Sequence, residues 1–166
     1  MTMMFALPQD SFRGPHCGVL ATAVAAGKSL TETFTLYRDF LKEKQSYSAR
    51  WKGSLYTHYI TKMLDRLGVE YNQLKPGHVR GVTVQKFVKE IANPNKVYMV
   101  FTRTHVQTIF GEECLDQNGI KHITKFGCRR RRIEMVLDLG VPTPSQVLHI
   151  AEAQTFGLPL FDRKEI

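Results

Sequence analysis

The chain is poor in cysteine, with three among 166 residues and no Cys-x-x-Cys pair. An odd count without that spacing excludes both a disulfide framework and a four-thiolate zinc site, and it leaves at least one thiol free. No stretch approaches the roughly 20 apolar residues of a membrane-spanning helix, so no membrane partner is expected. The run from Met1 to Leu7 is short, lacks a basic leader and is broken by Pro8, which predicts a cytoplasmic protein rather than a secreted one. Gly-x-Ser-x-Gly, P-loop and dinucleotide fingerprints are all missing. Serine-hydrolase and nucleotide chemistry therefore have no support, and no cofactor is expected. His122 and Cys128 could be imagined as metal ligands but form no ligand set by themselves, so no metal is expected either. There is no repeat, low-complexity tract or domain linker, and the length is that of one domain.

What is present begins with charge. The 23 Lys and Arg against 15 Asp and Glu give a net charge of +8, with an isoelectric point near 9.5. Lys121 to Arg132 holds six basic residues and no acidic one, ending in Arg129, Arg130, Arg131 and Arg132. Such a run is usually a solvated face. Its alternative use is to hold nucleic acid or an acidic protein partner.

Helical signals fill the first half. Cys17 to Ala26 is rich in Ala and Leu, follows the loop from Gln9 to His16 and is closed by Gly27, which predicts a buried helix with Cys17 in its first turn. Ser29 and Glu32 have capping-box spacing, and Phe34, Tyr37, Phe40 and Leu41 line one face of a helix to about Glu43. A basic connection from Gln45 to Gly53 leads to a third helix, about Leu55 to Leu67, stopped by Gly68. Val69 to Leu74 reads as a short strand, His78 as part of a Gly-rich turn, and Thr83 to Ala92 as a short helix with Val84, Phe87, Val88 and Ile91 inward.

The period then changes. Lys96 to Thr102 and His105 to Phe110 are rich in β-branched and aromatic residues and read as strands. Gly111, Glu112 and Glu113 turn the chain into a third strand, Cys114 to Gln117, and Asn118-Gly119 marks the next turn. Helices followed by antiparallel strands predict an α+β domain. Thr143-Pro144-Ser145-Gln146 has the form of a helix start, so the basic extension from 120 to 166 is expected to end in a helix to about Gln154.

Cys17 is the cysteine best placed for chemistry. Unpaired amides and the positive end of the dipole at a helix start favour the anionic form of a thiol, and an imidazolium nearby favours it further. Of six histidines, His105 alone opens a strand, where its ring would be rigidly held. The second ring nitrogen needs an acceptor, and Asp116 on the returning strand, or Asn118 two residues on, can supply it. The Cys17 amide and the Gln9 side chain are candidate donors to an oxyanion.

The order Gln9, Cys17 at a helix start, His105 at a strand start, then Asp116 or Asn118, resembles the papain-like cysteine peptidase superfamily. Residues 17–29 look like the nucleophile helix of compact phage-type cysteine peptidases and of bacteriocin-processing peptidases, and residues 105–116 are similar to their hairpin. The resemblance spans about residues 9–119. It implies helices packed on a small antiparallel sheet, and hydrolysis of a peptide or amide bond in a peptide or protein substrate. Two alternatives remain at this level. One is a non-catalytic papain-like scaffold that binds nucleic acid or an acidic protein through its basic surface, as a virion-associated or host-directed phage protein. The other is acyl transfer by the same residues.

Overall fold

The computed structural model describes residues 16–142. Helix α1, Cys17–Ala26, is buried along nearly its whole length, from Gly18 to Ala25. Small and aliphatic residues on all its faces allow this, because a helix apolar all round belongs inside a core. Gly27 ends it in the left-handed conformation, φ 62°. There its N–H meets freed carbonyls without a Cβ clash.

Helix α2, Leu30–Glu43, starts from the expected capping box. The Glu32 N–H donates to Ser29 Oγ at 3.1 Å and the Ser29 N–H donates to Glu32 Oε2 at 3.0 Å, a cap contributing about 1 kcal/mol. Its Tyr37, Phe40 and Leu41 pack with Val19, Leu20 and Val24 of α1. Helix α3, Thr57–Arg66, begins two residues later than the sequence predicts, because Tyr56 is extended, φ −73° and ψ 146°. Its Ile60 and Leu64 meet Ala21 and Ala25 on another side of α1.

Among the described residues, six antiparallel strands form one sheet in the order β1-β6-β2-β3-β4-β5. They are β1 Asn72–Gln73, β2 Val97–Thr102, β3 His105–Phe110, β4 Glu113–Asp116, β5 Gly119–His122 and β6 Ile133–Asp138. Every residue of β2 is buried. Met99 and Phe101 face α1, and Tyr98 and Val100 face a second core with Phe87, Phe126 and Ile133. The period-2 alternation of a strand puts successive side chains on opposite faces, so β2 is covered on both.

Three expectations need correction. His78 lies in a single helical turn, α4, Pro76–Val79, because Pro76 presets the first helical φ. The segment after Thr83 is helix α5, Val84–Lys86, continued by a π turn, Phe87–Ile91. Closing the turn from Ala92 N–H to Phe87 O adds a residue, which swings Ile91 outward to 40% exposure. Most important, residues 120–138 are no extension. They supply most of β5 and all of β6, and β6 lies inside the sheet between β1 and β2. The expected C-terminal helix at 143–154 and Gln9 lie outside the described residues.

Candidate active site

The N-terminus of α1 and the start of β3 face each other across one end of the sheet. Cys17 is the first residue of α1, and the first amides of a helix have no acceptor within it. The loop between α2 and α3 is fastened beside this start. Gly53, φ +114°, approaches His16 so closely that a Cβ there would lie 2.6 Å from the His16 Cβ and 2.9 Å from its Cα. Phe34 links the two, its ring 5.9 Å from that of His16 and 5.8 Å from that of Trp51.

His105 follows a tight turn in which Thr104 takes φ 63°, a conformation rare for a β-branched residue. Its Nε2 is 3.0 Å from Asp116 Oδ2, and the two side chains are 8% and 2% exposed. The Asn118 main-chain N–H donates to Asp116 Oδ1 at 2.8 Å. Both carboxylate oxygens are therefore engaged, one by the ring and one by the backbone. Asp116, not Asn118, is thus the acceptor on the imidazole. Asn118 acts on it through its backbone, since the tight turn into β5 aims its N–H back at the carboxylate.

With Nε2 committed to Asp116, Nδ1 is the nitrogen left for Cys17. Burial of the ring opposes its charge, but the hydrogen bonds and charges contributed by Asp116 and Cys17 outweigh it and push His105 up to about 9. The imidazole therefore stays protonated through neutral pH. A thiolate nucleophile needs such a cation beside it.

Cys17 and His105 open onto a cleft of about 480 Å³. One wall is apolar and aromatic, with Trp51, Leu55, Tyr56, Tyr59 and Ile60, and the other carries Thr102, Thr104 and Glu134. Gly18 belongs to the floor, where a Cβ would come within 2.8 Å of Ile60 Cδ1. The size and apolar lining are those of small-molecule and peptide sites. Trp51, Tyr56 and Glu134 were not marked by the sequence, because loop aromatics and a strand carboxylate carry no spacing signal until the fold brings them together.

The other candidates separate clearly. Cys114 is fully buried in β4, and burial pushes its thiol up, away from the reactive form. His58 stacks on Tyr56 at the surface, and His122 pairs with Thr124 and Glu112. Of the arginine run, Arg129 donates to the carbonyl of Phe126 within the same basic loop, and Arg131 and Arg132 donate to the carbonyls of Arg103 and Gly81 in neighbouring turns.

Cys128, which the sequence offers only as a ligand beside His122, lies instead next to His105 and Asp116. It sits in that basic loop, and its Sγ, a His105 ring nitrogen and an Asp116 oxygen all lie within 4.8 Å of one another. Burial pushes its thiol up, with Arg131 opposing and Asp116 and Cys17 adding to the rise. Spacing cannot reveal this proximity, since 23 residues separate Cys128 from His105 in the chain. No protein-family model, curated protein or solved structure matches the chain.

Proposed function

We propose that the protein is a thiol-dependent hydrolase of peptide or amide bonds, of papain-like type, with Cys17 as nucleophile, His105 as general acid and base, and Asp116 as the group that orients the ring. The observation that carries this reading is a single imidazole held between a helix-start thiol and a buried carboxylate, on the wall of an open cleft. Buried perturbed groups in a cleft are the usual mark of a catalytic site.

In the reaction, the Cys17 sulfur attacks the substrate carbonyl carbon and the π electrons move onto oxygen. The resulting oxyanion is met by amides at the start of α1. His105 gives its Nδ1 proton to the leaving nitrogen as the C–N bond breaks, which leaves an acyl thioester on Cys17. Neutral His105 then takes a proton from water, the hydroxide equivalent attacks the thioester, and the acid departs as the thiol and imidazole return to their starting forms. The aromatic wall suits a bulky apolar side chain next to the scissile bond. No observation of comparable specificity favours nucleic-acid binding by the arginine run.

The test is hydrolysis of a pooled set of fluorogenic peptidyl amides with bulky apolar residues beside the reporter. Cys17→Ala is expected to lower turnover by at least about 10³-fold while Cys128→Ser keeps it. Hydrolysis that survives Cys17→Ala would overturn the proposal.

A further inference from the structure

The cluster of His105, Asp116 and Cys128 does more than complete the dyad. These side chains come from β3, from β4 and from the loop before β6, and offer one nitrogen, one carboxylate oxygen and one sulfur, mutually within 4.8 Å. Asp116 is 3% exposed, so it is not one of the solvated surface acids that gather by chance. Calcium and magnesium take oxygen ligands almost exclusively. A mixed N, O and S set is the ligand chemistry of zinc. Tetrahedral bonds of about 2.0–2.3 Å place neighbouring ligand atoms roughly 3.3–3.8 Å apart. That range lies between the 3.0 Å separation of His105 and Asp116 and the 4.8 Å bound on the set.

We propose that His105 Nε2, Asp116 Oδ2 and Cys128 Sγ form a zinc site on the flank of the imidazole away from Cys17. The Asn118 N–H on Asp116 Oδ1 supplies the outer hydrogen bond that metal-ligating carboxylates use, and Cys128, half-buried in its loop, gives the route of entry. Binding displaces the thiol proton of Cys128 and the Nε2 proton of His105 into solvent, and a water completes the tetrahedron. The ring then keeps its proton on Nδ1 but is no longer an imidazolium, so Cys17 loses the cation that favours its thiolate. If Cys17 and His105 act as proposed above, zinc is therefore a reversible inhibitor that works by seizing the base and not the nucleophile. The metal site itself does not depend on that activity.

The experiment titrates the full chain with Co²⁺, whose thiolate complexes show a ligand-to-metal charge-transfer absorption, and needs no substrate. One equivalent is expected to produce this band in the wild-type protein and in Cys17→Ser, and Cys128→Ser is expected to weaken binding by at least about tenfold. A band that is absent in the wild type, or that survives Cys128→Ser and disappears in Cys17→Ser, would overturn the site. Should Cys128→Ser fail to fold by circular dichroism, alkylation of the wild type decides. Zn²⁺ slowing modification of Cys128 by tenfold or more supports the site, and an unchanged rate refutes it. Inhibition of hydrolysis is read separately, so an inactive protein that still binds cobalt refutes only the catalytic reading.

Discussion

Two thiols flank one imidazole, and the structure treats them differently. Cys17 stands at the start of a helix, packed with Phe101 and Val106 on the α1 side of the sheet, and opens onto a cleft. Cys128 stands in an irregular loop packed on the second core, with Phe126 and Ile133. One thiol has a helix terminus and a substrate space. The other has burial and a carboxylate neighbour, both of which disfavour its anion. Proximity to a histidine alone does not make a nucleophile, since both cysteines have it.

The largest expected effect sharpens that contrast. Removing the nucleophile as Cys17→Ala should cost at least about 10³-fold in turnover, and Cys128→Ser should cost less than about tenfold when measured with metal chelated. Comparable losses from the two would erase the distinction.

Next come the shared ring and its acceptor. His105→Ala should lower turnover by about 10²–10⁴-fold. Asp116→Asn, which keeps the shape and loses the charge, removes one of the interactions that hold the proton on His105. In chelated buffer, the wild-type pH–rate profile should lose activity as pH rises through about 9, and the variant should lose it at lower pH. The same linkage has a sign in stability. His105 is raised above its ordinary 6.5, so its contribution is complete below that value and is lost as pH rises through about 9. Thermal melts across that range check it.

Gly53 tests the Cys17 flank by packing. Gly53→Ala places a methyl group against His16 and strains a positive φ, with an expected loss of about 2 kcal/mol in denaturant unfolding and a Cys17 that reacts more slowly. The smallest effect should come from Thr104→Gly. It relieves the left-handed conformation before His105 and should gain about 1 kcal/mol of stability while loosening the ring.

How much of this was legible in the sequence follows the same division. The Cys17 flank is built from local signals: an Ala-rich run closed by Gly27, the Ser29 and Glu32 capping box, and a strand opening at His105. All three appear where the spacing put them. The Cys128 flank is built from long-range ones. Ile133 to Asp138 follows four arginines and falls within the expected basic extension, with no element of its own assigned. It is a strand inside the sheet only because β1 and β2 leave a place between them. Arg132 and Thr83 form the bridge that registers its entry, and no local pattern announces that pairing. Likewise, Asn118 was a fair rival to Asp116 until the turn assigned one to the ring and the other to a backbone hydrogen bond. The Gln9 assignment lies outside the described residues.

The central claim is that His105 activates Cys17 and not Cys128. Its most direct measurement is the rate of iodoacetamide modification at each cysteine of the chelated full chain at neutral pH, resolved by peptide mass spectrometry in the wild type and in His105→Ala. The account predicts that Cys17 is modified first and slows by at least about tenfold in His105→Ala. Modification of Cys128 ahead of Cys17, or a Cys17 rate indifferent to the loss of His105, would contradict it.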